Sequence, residues 1–304
     1  MGYVIGFDLG GTYIKFVAVD EDGAALCKGT LPTGAGGEAA AFWVETIRSK
    51  IAAIEARLGE PLGIGVACPG LAARDGRSIS WMQGRMEAVQ GLDWTAALGR
   101  PSSQAIPVLN DAQAALLGEA WCGAAEGHRD AAILTLGTGV GGACILGGEL
   151  LKGKLGRAGH FGHMCLNPYG AADIVQTPGS LELEIGECTI AERTSNRFHT
   201  TIELVEAYVT GDSFASDVWL RSVHALGCAI VSLINVLDPE VFVIGGGIAQ
   251  AGSPLFDPLR EVLDRYEWRP SGSGVKLVPA LLGEYSGAYG AAADALNSPA
   301  FLAD

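Results

Sequence analysis

The sequence predicts an α/β fold of two similarly built halves, and three observations lead there. Residues 3–8 read as a strand that runs through Gly10-Gly11-Thr12 into a second strand at 14–19. The same pattern returns about a domain length later, with a strand at 131–136, the turn Gly137-Thr138-Gly139 and a strand at 142–146. After each pair, apolar strand-length runs alternate with stretches of helical periodicity. A repeat at this spacing implies a duplicated unit, not a short-period solenoid.

In chain order, Asp20-Glu21-Asp22-Gly23 is a turn and residues 25–30 add a third strand, making a meander. Residues 39–58 have helical spacing, and 62–67 form a buried strand stopped by Pro69-Gly70. Residues 74–105 read as irregular. Residues 106–109 are a strand, and Asn110-Asp111 opens a helix over 112–121. In the second half, helices are expected over 202–209, 217–237, 254–266 and 287–296, with a strand at 241–244 leading into Gly245-Gly246-Gly247. The expected organisation is an N-terminal lobe over 1–111, a C-terminal lobe over 112–284, and a C-terminal helix in 285–304 packing back on the first lobe.

Of the 304 residues, 49% are hydrophobic and 18% charged, which is globular and not disordered composition. The formal charge of −14 disfavours nucleic acid and anionic membrane surfaces as partners. It does not disfavour a nucleotide held by backbone N–H groups and a metal ion. The seven cysteines are scattered without a CxxC pair, which fits reduced thiols in the cytoplasm. No basic and apolar leader pattern precedes Tyr3, so no signal peptide is expected. The uncharged run 131–148 holds six glycines and reads as two strands around a turn instead of a membrane span.

Four motifs have chemical readings. At Asp8-Leu9-Gly10-Gly11-Thr12, glycine N–H groups can approach phosphate oxygens, Thr12 adds a hydroxyl, and Asp8 can hold Mg²⁺ directly or through water. The alternative is a plain hairpin turn. Gly137, Gly139 and Gly142 satisfy GxGxxG, but a strand follows where a dinucleotide site needs a helix, so a second phosphate hairpin is the better reading. Asn110-Asp111 is either a helix cap or a base, Asp111, that takes a proton from a hydroxyl substrate beside a sugar-bridging Asn110. Gly245-Gly246-Gly247 either punctuates a strand end or lets a nucleoside lie against the backbone.

Together these motifs resemble the hexokinase–actin superfamily, and within it the ROK family of bacterial repressors and sugar kinases. The resemblance runs through GFDLGGTYIK at 6–15, GVACPG at 65–70, LND at 109–111, LTLGTGVGG at 134–142 and VFVIGGG at 241–247. It implies two actin/ribonuclease H-like lobes, each a mixed sheet flanked by helices, around an interlobe cleft. It implies an ATP- and Mg²⁺-dependent kinase phosphorylating a hexose, at O6, with Asp111 as general base. Asp8, Gly10, Gly11, Thr12, Gly137, Thr138, Gly139, Gly245, Gly246 and Gly247 would serve the nucleotide and metal. Gly70, Asn110, His163 and Glu182 would orient the sugar. A homodimer is implied by the family alone, and polyphosphate remains open beside ATP as donor.

The chain also departs from the family. His160 stands where a second sugar-contacting glutamate is usual, and a neutral histidine offers one donor and one acceptor where a carboxylate only accepts. The three zinc cysteines fall on Asp173, Val175 and Ser180, so no structural zinc is expected. A different metal site from His160, His163, Cys165 and Asp173 is the alternative use of these residues. Two rival functions follow: a catalytically weak sugar-binding relative, and a sugar-sensing repressor, which would need a helix-turn-helix ahead of the first hairpin.

Overall fold

The structure is a computed structural model and describes residues 2–34, 40–84 and 86–296. Ala39, the expected first residue of the first helix, and residues 297–304 of the expected C-terminal segment lie outside the described residues.

The first sheet is built from β1 (Tyr3–Leu9), β2 (Tyr13–Asp20), β3 (Ala25–Pro32), β4 (Gly63–Cys68) and β5 (Val108–Asn110) in the order β3-β2-β1-β4-β5. β1 pairs antiparallel with β2 and parallel with β4, which pairs parallel with β5. β1 is buried on both faces, as its nearly continuous apolar sequence requires. β3 alternates exposed and half-buried positions, carries Lys28 and ends in Pro32, all suited to a sheet edge.

The second sheet repeats the first. It contains β6 (Ala131–Leu136), β7 (Val140–Leu146), β8 (Glu149–Leu150), β9 (Val241–Gly245) and β10 (Lys276–Pro279) in the order β8-β7-β6-β9-β10. Each strand thus takes the place of the strand five earlier in the first sheet. The uncharged run 131–148 forms β6 and β7, joined by the glycine turn.

By internal contacts the chain divides into two units. One comprises residues 1–129, 147–159 and 280–304; the other comprises 130–146 and 160–279. This differs from a division at 111/112. The helix α2 (Asp111–Cys122) belongs to the first unit because its small residues pack on α6 (Ser286–Leu296).

In the first unit, α1 (Ala40–Leu58) buries Trp43, Val44, Ile47, Ile51 and Ile54. These recur at three- and four-residue steps, and they join the core with Phe7, Phe16 and Val66. α6 approaches without a side-chain spacer. A Cβ on Gly6 would lie 1.9 Å from the Ala288 carbonyl oxygen, and one on Gly290 would lie 1.7 Å from that of Ala114. Fully buried Glu119 locks this packing. Its carboxylate accepts hydrogen bonds from the N–H groups of Ala124 (2.8 Å), Leu281 (3.0 Å) and Leu282 (2.9 Å) and from the Ser286 hydroxyl (2.7 Å).

The described residues of 74–105 are more ordered than their glycine spacing implies. Ile79–Trp81 forms a hairpin with the preceding Leu71–Ala72, Trp94–Ala97 is a short helix, and both Ile79 and Trp94 are fully buried.

In the second unit, α3 (Thr201–Val209) starts with a reciprocal Thr200/Glu203 capping box. α4 (Ser213–Leu237) starts on Asp212, which accepts from Ala215 N–H, and α5 (Ser253–Tyr266) follows β9. Among the described residues only α4 is long and apolar enough to cross a membrane. Its Trp219, Leu226, Ile230 and Leu233 instead fill the core with Phe242, Ile244 and Leu259.

Candidate active site

Backbone pairing sets the first group of functional side chains. Asp8 sits at the C-terminal end of β1, opposite Lys15 on β2 and Ala67 on β4. The following loop is held by Gly10 N–H to the Tyr13 carbonyl (3.1 Å), by the Thr33 hydroxyl to the Gly10 carbonyl (2.7 Å) and by Thr33 N–H to the Thr12 carbonyl (3.2 Å). Gly11 and Thr12 at its tip are exposed, and a Cβ on Gly11 would meet nothing. The Asp8 carboxylate lies against α6, where a Cβ on Gly287 would come within 2.7 Å of its Oδ2. Burial pushes the Asp8 pKa up to about 7, Lys15 opposes the rise, and Asp111 adds to it.

Asn110 and Asp111 stand where β5 becomes α2. Asn110 caps the helix, its Oδ1 accepting from Ala112 N–H (3.0 Å) and Gln113 N–H (3.2 Å). Its Nδ2 donates to the Gly70 carbonyl (2.9 Å) and to Asp111 Oδ1 (2.8 Å). Both amide hydrogens and both acceptor positions of Asn110 are therefore in use. Gly70 has φ +102°, and a Cβ there would lie 2.6 Å from the Trp81 carbonyl oxygen, so only glycine fits.

Asp111 Oδ1 also accepts from Ala112 N–H (2.8 Å), while Oδ2 has no hydrogen bond to another described residue. The side chain keeps solvent-accessible surface, yet dense protein around it desolvates the carboxylate and raises its pKa, against the lowering effect of the Ala112 and Asn110 bonds and of Lys15. Lys15, whose charge acts on both carboxylates, is a residue the motif reading passed over. The two-strand register that sets Asp8 opposite it was the available signal.

The second unit gathers another group around Val140. The hairpin closes by Gly137 N–H to the Gly139 carbonyl (2.9 Å) and is braced by Glu187 N–H to the Gly137 carbonyl (3.0 Å) and Cys188 N–H to the Thr138 carbonyl (2.8 Å). Glu182, on the short helix Leu181–Ile185, accepts from Val140 N–H through Oε2 (3.0 Å). A Cβ on Gly139 would lie 2.3 Å from that oxygen. The turn Phe161–His163 rests on the same residue, since a Cβ on Gly162 would lie 1.9 Å from the Val140 carbonyl oxygen.

The third glycine motif reaches the hairpin as well. Gly245 ends β9, and Gly246 has φ +86° with its would-be Cβ 2.2 Å from the Leu136 carbonyl oxygen. Gly137 and Gly247 face open space. The hairpin Gly137–Gly139, Glu182, the His160–His163 turn and Gly245–Gly247 are thus neighbours in one unit. Asp8, Gly10–Thr12, Gly70, Asn110 and Asp111 belong to the other.

His160 is half-buried and heads the turn, its carbonyl accepting from His163 N–H (3.3 Å). The residues at the cysteine positions do not make a zinc site. Val175 has no donor atom in its side chain, and Asp173 is already bonded to His163 and to backbone N–H groups. No group of three His, Cys, Asp or Glu suited to a metal occurs among the described residues, and a set of His160, His163, Cys165 and Asp173 is not assembled. Asp8, in contrast, fits Mg²⁺. Its carboxylate, at the C-terminal end of β1, is a hard oxygen ligand, and a cation would relieve the mutual repulsion of Asp8 and Asp111.

Comparison with known proteins agrees with these motifs over their full span. A family model described as "ROK family" matches residues 4–297. A glucokinase of Thermotoga maritima is 32% identical over 310 residues, covering 95% of this chain and 96% of that protein. The crystal structure of a ROK hexokinase from Thermus thermophilus superposes with a TM-score of 0.84 at 31% identity, covering 97% of this chain and 98% of the other. A ROK family glucokinase from Streptomyces griseus, solved with glucose and AMPPNP, gives a TM-score of 0.81 at 26% identity, with 98% and 100% covered.

Proposed function

This chain belongs to the ROK family and is a sugar kinase of that family, and from that premise we propose that it transfers the γ-phosphoryl group of ATP to O6 of a hexose or hexose derivative, with Asp111 as general base. The observation that carries the reading is the state of Asp111. One oxygen is fixed by Ala112 N–H and Asn110, and the other is left for a substrate hydroxyl. The raised pKa brings the carboxylate closer to the operating pH, where a base takes a proton most effectively.

The remaining residues position and neutralise, which is most of what phosphoryl transfer asks of a protein. Gly10, Gly11, Thr12, Gly137, Thr138 and Gly139 hold phosphate oxygens, and Gly245–Gly247 receives the nucleoside. Asp8 holds Mg²⁺, which when bound offsets the charge of the phosphates. His163 and Glu182 orient the sugar, Glu182 through Oε1 because Oε2 is held by Val140 N–H. Gly70 sets its carbonyl, and Asn110 acts by tethering Gly70 to Asp111; a direct bond from Asn110 to a sugar requires exchange of one of its present partners. His160 is the contact through which sugar preference would differ from glucokinases. ATP as donor is supported by the AMPPNP held by the Streptomyces griseus enzyme. A cytoplasmic homodimer is the form proposed.

An ATP-consumption panel over hexoses, amino sugars and N-acetylated sugars tests the reading. Turnover is expected with at least one, and none with its 6-deoxy analogue. Thermal stabilisation by a sugar with no turnover of any would favour a sugar-binding protein and overturn the kinase assignment.

A further inference from the structure

The loop that carries the zinc-cysteine positions is closed without metal. Residues 164–181 are zipped at their base by Leu181 N–H to the Met164 carbonyl (3.0 Å) and Leu166 N–H to the Gly179 carbonyl (2.8 Å). At the loop's centre is Asp173, whose side chain has no exposed surface. Its Oδ1 accepts from Val175 N–H (3.0 Å) and Thr177 N–H (2.8 Å), and its Oδ2 meets His163 Nδ1 at 2.8 Å. The Ser180 hydroxyl lies close enough to favour the charged carboxylate without reaching hydrogen-bond geometry.

An ionised carboxylate only accepts, so the hydrogen must sit on His163 Nδ1. A neutral ring then has Nε2 as its acceptor, on a side chain that keeps about 26% of its surface exposed. Burial works against the charge on Asp173, but the bonds from Thr177, His163 and the neighbouring hydroxyl outweigh it and hold its pKa below the usual range.

Resting on the sugar-kinase reading, we infer that Asp173 is the positioning residue that replaces a structural metal in this chain, fixing His163 with Nδ1–H inward so that Nε2 accepts a hydrogen bond from a sugar hydroxyl. The tie does two things at once. It anchors the loop to the turn Phe161–His163, and it selects one tautomer, as outer-shell carboxylates do for histidines in metal sites.

Asp173→Asn is the discriminating change, because an amide of the same shape can keep both backbone bonds through Oδ1 yet must donate to Nδ1, forcing the hydrogen onto Nε2. Long-range ¹⁵N–¹H spectra of the histidine rings, with His163 assigned by its loss in His163→Gln, should show Nδ1–H in the wild type and Nε2–H in Asp173→Asn. The KM for the best hexose should rise roughly tenfold, the scale of one exchanged hydrogen bond to a charged network, with the ATP KM unchanged. A wild-type ring with hydrogen on Nε2 would overturn the inference without need of any variant. An unchanged hexose KM in a folded Asp173→Asn, or one equivalent of zinc per chain in the purified protein, would overturn it too. Absence of hexose turnover in the wild type would defeat the sugar-kinase reading instead, and the spectrum alone would then decide the tautomer.

Discussion

Replacing Asp8 by asparagine should stabilise the metal-free protein above neutral pH. Burial and the neighbouring Asp111 lift the Asp8 pKa from 3.8 to about 7 in the folded chain. Between those values the folded protein binds a proton that the unfolded chain does not, so stability falls as pH rises. The contribution is fully present below the unfolded pKa and is lost as pH passes through about 7. At roughly 1.4 kcal/mol per unit, the whole effect is about 4 kcal/mol at most, of which about 2 kcal/mol falls between pH 5.5 and 8.5. Asparagine resembles the protonated acid and does not titrate.

The assay is thermal unfolding of wild type and Asp8→Asn in chelator at pH 4, 5.5, 7 and 8.5. The variant should melt close to wild type at pH 4 and progressively above it as pH rises, by about 8–16 °C at most at pH 8.5 given about 2–4 °C per kcal/mol for units of this size. Adding Mg²⁺ at pH 8.5 should raise the wild-type melting temperature and leave the variant unmoved. A variant that melts below wild type at pH 8.5, or with a constant offset at every pH, would refute both the raised pKa and its electrostatic cause.

Three further outcomes follow from particular contacts. Glu119→Ala removes an acceptor from three N–H groups and a hydroxyl, all within the first unit, and should cost about 3–5 kcal/mol in stability; Glu119→Gln should lose less, as read by chemical denaturation. Gly246→Ala forces a Cβ into the Leu136 carbonyl at positive φ, so it should weaken ATP binding measured by calorimetry before it weakens sugar binding. Lys15→Met removes a charge that favours both ionised carboxylates, so the pH–rate profile should shift upward on its acidic limb.

The repeated strand–turn–strand was legible in the sequence because a nearly continuous apolar run ending in a glycine turn is a local signal, and each sheet is built around one such pair. The short strand β10, Lys276–Pro279, was missed because four residues at a sheet edge have no periodicity of their own. The glycines of 74–105 imply irregular chain, yet Ile79 and Trp94 are driven into the core by burial that no local pattern announces. The candidate site shows the same division. Motifs mark residues such as Asn110 and Glu182, but the sequence cannot show that Asn110 has all its hydrogen-bonding capacity in use, or that one oxygen of Glu182 is held by Val140. Asp173 was visible as a missing cysteine and as a candidate metal ligand; its bond to His163 depends on how the loop folds.

Phosphoryl transfer at this site depends on Asp111, and the steady-state kinetics of Asp111→Asn with ATP and the best hexose test it. Asparagine can keep the Ala112 bond and the shape of the site while removing the carboxylate proposed as base. kcat should fall by a factor of about 10² or more, as for loss of a general base, with the dissociation constants for ATP and hexose little changed. Turnover near that of the wild type would contradict it.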